Sequence, residues 1–224
     1  MHIAIIGNIG AGKTTLARLL GEKLNDLIRL SSKVPSELGY KVFTKFEAVD
    51  DNPYLDDFYK NMDRWSFAAQ IFFMNRKLTD LLEIKAFPEN IYIQDRTLFE
   101  DRYMFVPTLR EEGHLADREY HNYCDLYNSV SKLVGNPDIL IYIDSSVDNL
   151  MNQIHKRNRD CENGISREYI KKLNEKYINF CKNYTGNMIK INGDTCKFEQ
   201  NENDLMEIVW SVVRNIRNLK HYEN

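Results

Sequence analysis

The chain opens with an apolar run, Ile3-Ala4-Ile5-Ile6. It passes directly into Gly7-Asn8-Ile9-Gly10-Ala11-Gly12-Lys13-Thr14 and then into leucines at helical spacing, Leu16, Leu19, Leu20 and Leu24. The middle eight residues match G-x-x-x-x-G-K-[ST], with strand, glycine loop and helix in the order that gives this motif its physical meaning. Gly7, Gly10 and Gly12 carry no Cβ, so the backbone can turn sharply and present several N–H groups to one anion. The following helix points its positive end at the same place. Lys13 adds a full charge for β- and γ-phosphates, and Thr14 offers a hydroxyl to Mg²⁺. Gly7, Asn8, Gly10, Ala11, Gly12, Lys13, Thr14 and Thr15 are thus the candidate residues for holding ATP. The loop leaves the reaction itself open.

The rest of the chain alternates short apolar runs with helical stretches. Strands are expected at Ile3–Ile6, Val42–Phe46, Ile91–Gln94, Ile139–Ile143 and Met188–Ile191. Helices are expected from Tyr54 onward and over Trp65–Glu83, Asp117–Leu133, Val147–Arg157, Arg167–Tyr184 and Glu202–Leu219, with Ser146 as an N-cap. This alternation implies βαβ units, hence an α/β three-layer domain on a five-stranded parallel sheet. A length of 224 residues suits one domain spanning 1–224. Asp26–Tyr40 receives no assignment beyond a turn-like Val34–Gly39.

Composition narrows the partners. A net charge of −3 provides no general basic field for nucleic acid or an anionic membrane. No apolar run approaches the roughly 20 residues of a membrane helix. The first strand begins at once, leaving no room for a signal peptide. Cys124, Cys161, Cys181 and Cys196 form no C-x-x-C pair and read as reduced thiols in a cytoplasmic protein.

In parallel α/β sheets ligands gather beyond the carboxyl ends of the strands. Glu47 follows the second strand, and Asp95-Arg96-Thr97 closes the third. A carboxylate placed there beside a P-loop can hold Mg²⁺ or accept the proton of an attacking hydroxyl. Alone, Asp95-Arg96 would read as a surface ion pair and Glu47 as a helix-entry charge; two such strand ends in one P-loop chain favour chemistry. Arg157-Asn158-Arg159 ends a helix. Arginines two apart point to different sides of a regular helix and converge on one phosphate only if the helix ends or bends near Asn158. Glu162-Asn163-Gly164 supplies such a break, so a helical lid over about residues 153–165 is expected.

Taken together these segments resemble the deoxynucleoside kinase family over nearly the whole chain. Glu47-Ala48-Val49 is similar to the family's Glu-Pro-Val, and Asp95-Arg96-Thr97 to its Asp/Glu-Arg-Ser, continued by Asp101-Arg102-Tyr103. Tyr59-Lys60, Arg64-Trp65-Ser66-Phe67 and Gln70 match its substrate segment, and Arg157-Asn158-Arg159 its lid Arg-Gly-Arg. Bacterial purine-using members are the most similar in wording.

The resemblance implies a P-loop kinase fold, ATP with Mg²⁺, a likeness in assembly to homodimers packed through helices, and a set of roles. Glu47 would be the general base for the nucleoside 5′-hydroxyl, with Arg96 orienting it. Asp95 would join Thr14 at the metal. Tyr59 and Glu162 would bind the sugar 3′-hydroxyl. Gln70 and Asp101 would meet the base, and Trp65 would form pocket wall. Arg157 and Arg159 would close from the lid. Apart from the resemblance, the Asn192-Gly193-Asp194 turn, with Asp194, and nearby Phe198 are placed to surround the donor base.

The chain departs from the family at Asn158, which replaces a glycine, at Gln153 and Cys161, and at Lys77, which stands where relatives place an arginine paired with the pocket aspartate. Lysine lacks the planar fork of arginine. These departures bear on substrate preference more than on reaction class. A nucleoside monophosphate kinase of thymidylate-kinase type and a non-catalytic nucleotide-binding module are the competing readings.

Overall fold

The computed structural model describes residues 1–30, 41–47, 49, 51–159 and 164–222. The turn-like Val34–Gly39, Cys161 and the candidate sugar ligand Glu162 lie outside these residues.

Five strands form one parallel sheet in the order β2-β3-β1-β4-β5: β1 His2–Gly7, β2 Val42–Lys45, β3 Ile91–Asp95, β4 Ile139–Asp144 and β5 Met188–Asn192. Each expected run became a strand, with ends within one residue. The one shortened strand is β2, which stops at Lys45; Phe46 leaves the sheet and lines a cavity described below. β1, β3 and β4 read as nearly unbroken apolar runs because both their faces are covered.

The helices are α1 Lys13–Leu30, α2 Leu55–Lys60, α3 Met62–Ala86, α4 Leu98–Glu100, α5 Val106–Glu111, α6 Asp117–Val134, α7 Val147–Arg157, α8 Arg167–Asn183 and α9 Glu202–Tyr222, with a π-helical turn, Asp101–Phe105, between α4 and α5. Side chains alternate across β3. Ile91 and Ile93 join a core with α1, α7, α8 and α9, whereas Tyr92 joins a second core with α3, α5 and α6. Helices therefore cover both faces, giving the three layers. Ser146 caps α7, its hydroxyl accepting from the Asn149 amide. The short segment from Leu98 to Glu111 was not expected as helix. Its three-residue α4, π turn and Pro107 carry no 3.6-residue period.

Two features bring the strand ends to the P-loop. Lys45 pairs with Glu83 of α3 at 2.6 Å, anchoring the end of edge strand β2. The Arg96 amide donates to the Ile5 carbonyl of β1 at 3.0 Å, so the residue after β3 is tied to the strand that launches the loop.

Gly10 shows why the loop needs glycine. Its φ is +84°, and a Cβ there would lie 2.8 Å from the Leu150 carbonyl oxygen of α7. Gly113, at φ +83°, has open space around it. Gly113→Ala should lower stability by about 1 kcal/mol in urea unfolding, the share due to backbone conformation alone, and Gly10→Ala by about 2–3 kcal/mol. Equal losses would mean that the close approach to α7 contributes nothing.

Candidate active site

A cavity of about 800 Å³ opens at the carboxyl ends of β1, β2 and β3. One end is lined by Gly10, Gly12, Lys13, Thr14 and Thr15; the other by Glu47, Tyr59, Gln70, Arg96 and Asp101. Phe46, Val49, Leu55, Phe58, Phe73 and Phe105 supply apolar walls, and Arg157 and Arg159 line the cavity from the end of α7. A mostly apolar slot with a few fixed polar groups, joined to an anion cradle, suits a flat organic acceptor beside a triphosphate.

Gly7, Asn8 and Ala11 belong to the loop but are not part of the cavity lining. The Asn8 side-chain amide donates to the Ile170 carbonyl and to Asn174, while the Asn8 backbone carbonyl accepts from Lys13 Nζ at 3.0 Å. Lys13 is buried, and desolvation pushes its ammonium down to about 8, aided by the neighbouring Arg96 charge and opposed by Glu100, Asp95 and Glu47. A phosphate would add counter-charge to that of these three carboxylates, which do not offset the burial of the ammonium.

Thr14 Oγ1 donates to Asp95 Oδ2 at 2.5 Å, and Asp95 Oδ1 is buried with no hydrogen-bond partner. Burial raises the Asp95 carboxyl, and Lys13 offsets only part of this. An orphaned carboxylate oxygen next to a P-loop threonine fits Mg²⁺, which takes few protein oxygens and completes its shell with phosphates and water. Among the described residues no group of three or more His, Cys, Asp or Glu could hold a metal, so an all-protein cage is not the arrangement present.

Glu47 and Arg96 form the centre of the acceptor end. Arg96 Nε donates to Glu47 Oε2 at 2.8 Å, and Lys77 Nζ lies 3.7 Å from Glu47 Oε1. Burial alone would raise the Glu47 carboxyl; Arg96, Lys77 and Lys13 outweigh it and hold it below the ordinary value. Glu47 is therefore ionised at neutral pH, as a proton acceptor must be. Arg96 has φ +70°, a left-handed conformation rare outside glycine.

Asp101 and Phe105, the two ends of the π turn, both line the cavity. Lys77 Nζ donates to both Asp101 oxygens at 2.7 Å. Burial still pushes the Asp101 carboxyl up to about 6, with Lys77 opposing the shift. Gln70 Oε1 is buried and lacks a partner.

The cavity brings most of the candidate residues together, but not all. Trp65 is not part of the lining; its ring packs on Tyr54 at 5.8 Å under the Arg64 guanidinium. It lies five residues before Gln70, about 140° away around a regular helix. Asp194 is also outside the lining: its Oδ1 accepts from the Ser146 amide and hydroxyl at 3.0 and 3.1 Å, tying the β5 turn to the start of α7. From the same loop Phe198 packs against Gly12 and Glu199 lines the cavity. Asn158 adopts φ 48°, ψ 49°, ending α7 so that Arg157 and Arg159 reach one cavity. Arg18, Lys156 and Tyr169 also line it without having been singled out. Glu100 and Tyr177, buried behind Arg96, were missed as well. The Glu100 signal was available in Thr97-x-x-Glu100, a capping-box pattern.

A family model described as "Deoxynucleoside kinase" matches residues 3–215. The chain is 40% identical over 179 residues to a deoxyadenosine kinase of Dictyostelium discoideum, covering 80% of this chain and 66% of that protein. It is 29% identical over 210 residues to a deoxyadenosine/deoxycytidine kinase of Bacillus subtilis, covering 92% of this chain and 89% of the relative. A solved structure of deoxyadenosine kinase from M. mycoides, with products dCMP and a flexible dCDP bound, matches with a TM-score of 0.72 at 29% identity, covering 96% of this chain and all of that one. Fold, anion cradle and relatives together define a P-loop phosphotransferase that acts on a hydroxyl group. Within that class, the chain belongs to the deoxynucleoside kinase family.

The depressed Lys13 ammonium gives this site a proton linkage. Its folded pKa, about 8, lies below the ordinary 10.5, so it costs the nucleotide-free fold stability below pH 8, a cost that recedes as pH rises through that window. Triphosphate binding should restore the proton. Calorimetry of ATP binding at pH 8.5, in buffers of different ionisation enthalpy, should show uptake of up to about 0.75 proton, abolished by Lys13→Met. Equal enthalpies in all buffers would refute the linkage.

Proposed function

We propose that this kinase transfers the γ-phosphoryl group of ATP, with Mg²⁺, to the 5′-hydroxyl of a deoxynucleoside, deoxyadenosine being the favoured acceptor and deoxyguanosine and deoxycytidine the alternatives. The role is deoxynucleotide salvage in the cytoplasm. The observation that carries this reading is Glu47: an ionised carboxylate, fixed by Arg96 at 2.8 Å, lining the same cavity as the P-loop.

The chemistry follows from the placement. Phosphoryl transfer needs alignment and charge neutralisation more than covalent catalysis. Glu47 Oε2 is held by Arg96, leaving Oε1 to accept the hydroxyl proton as that oxygen attacks phosphorus. Gly10, Gly12, Lys13 and Thr15 cradle the donor phosphates. Thr14 and Asp95 would hold Mg²⁺, whose charge offsets that on the β- and γ-phosphate oxygens. Arg157 and Arg159 neutralise the transferring group from the lid, and Tyr59, with Glu162, contacts the sugar.

Gln70 and Asp101 support the base preference. An amide and a carboxylate offer acceptors that suit the amino group of adenine or cytosine; guanine presents a carbonyl at the corresponding edge. Purine over pyrimidine rests on the family resemblance. A phosphorylated acceptor fits less well, because Arg96 and Lys77 at this end are already matched by Glu47, Glu100 and Asp101. A homodimer would use the α3–α6 face, where Leu82, Phe87, Leu126 and Leu133 are exposed.

Two measurements test the proposal. With the four natural deoxynucleosides, ATP and Mg²⁺, kcat/KM should be highest for deoxyadenosine, and deoxyadenylate and thymidylate should not serve as acceptors. Glu47→Gln should lower kcat by about 10²–10⁴-fold while the Kd for ATP stays within about threefold. Undiminished turnover in that variant, or preferential phosphorylation of a monophosphate, refutes it. Sedimentation should give twice the 26.5 kDa chain mass; a monomer would remove the dimer.

A further inference from the structure

We propose that Glu100 is a positioning residue for phosphoryl transfer, a buried carboxylate that aligns the Arg96 guanidinium and the first P-loop amide on one anchor and thereby sets the orientation and basicity of Glu47. The proposal rests on Glu47 being the proton acceptor.

Glu100 is completely buried, and it is not part of the cavity lining, so it does not meet substrate. Its Oε2 accepts from the Thr97 amide at 2.8 Å, which closes the capping box of α4. Burial raises the Glu100 carboxyl, yet all four groups on its oxygens are donors, the pattern of the ionised form, and capping alone does not explain a carboxylate where glutamine would serve. The other contacts all go to site elements. Oε1 accepts from the Tyr177 hydroxyl of α8 at 2.6 Å, from Arg96 Nη1 at 3.2 Å and from the Gly7 amide at the end of β1 at 3.3 Å. Arg96 Nη1 also donates to the Tyr177 oxygen at 3.2 Å, and its guanidinium lies over the Phe105 ring at 4.8 Å. The guanidinium is thus clamped on one side by Glu100, Tyr177 and Phe105 and presents Nε to Glu47 on the other.

This arrangement also shares charge. Glu47 faces Arg96, Lys77 of α3 and Lys13 of α1; Glu100 faces the same three cations and the Tyr177 hydroxyl. Asp95 and Asp101 complete the set of carboxylates around them. While Glu100 is ionised, Arg96 is divided between two carboxylates. Neutralising Glu100 leaves Arg96 to Glu47 alone, which makes Glu47 easier to ionise and a weaker base.

The test is a double-mutant cycle on the full chain: Glu100→Gln, Glu47→Gln and both together, read as single-turnover rates of transfer from ATP to deoxyadenosine across pH. Glu100→Gln should retain its helical circular dichroism and an ATP Kd within about threefold, yet lose about ten- to a hundredfold in rate, with the acid limb of its pH profile moved to lower pH. In the Glu47→Gln background the same substitution should cost less than about threefold. An equal loss in both backgrounds, an acid limb that does not move, or a defect confined to ATP binding overturns the proposal. If Glu100→Gln does not fold, Tyr177→Phe, which removes a single hydroxyl, goes through the same cycle. A loss of about three- to tenfold that vanishes without Glu47 supports the proposal, and an equal loss in both backgrounds overturns it. Wild-type rates in Glu47→Gln alone would overturn the general-base reading and this proposal together. Loss there with additive cycles overturns only the role of Glu100.

Discussion

A guanidinium taken out of water must be surrounded by anions, or its burial costs more than the fold can spare. Arg96, 6% exposed, meets this constraint with Glu47 on one side and Glu100 on the other. The pairing dictates its backbone. Along a strand successive side chains point to opposite faces, so a residue following Asp95 in extended conformation would turn away from the cavity. The left-handed φ of +70° turns it back, and both residues line the site. Such a conformation costs about 1–3 kcal/mol. The Ile5 carbonyl and two carboxylates supply what holds it.

The strands were legible because a parallel sheet covered on both faces leaves continuous apolar runs, and the shortness and isoleucine content of Ile-Ala-Ile-Ile and Ile-Leu-Ile-Tyr-Ile favour strand over buried helix. The P-loop was legible because glycine spacing and a following lysine have one common physical use. Strand ends were legible as sites because the sheet topology sends ligands there. The family resemblance assigned roles that spacing alone could not, above all to Tyr59, Gln70 and Asp101.

The residues that escaped did so for identifiable reasons. The Leu98–Glu111 segment mixes α and π turns, so its period drifts, and its burial follows from contacts made by α3, α6 and α8 rather than from its own pattern. Glu100 looked like a capping residue, which it also is; its link to Gly7 spans 93 positions and cannot be read locally. Trp65 belongs to the right helix but to a face turned from Gln70. Asp194 sits in the right loop, yet the N-terminus of α7 claims its carboxylate, and Phe198 and Glu199 reach the P-loop instead.

The two sides of the cavity hold their charges differently, and the difference divides the labour. At the strand ends Lys13, Arg96, Glu47 and Asp101 are fixed in a buried network where electrostatic interactions are strong and little reorganisation is required. At the end of α7, Arg157 is exposed and Arg159 half-buried, so solvent screens their charges more than those of the buried network. Asn158 makes this arrangement workable: its left-handed turn stops the helix between the two arginines, and asparagine accepts that conformation with less strain than most residues. Under the proposed function, alignment of the acceptor is built into the folded sheet, whereas the arginines at the end of α7 would act more strongly once substrate fills the cavity and excludes water.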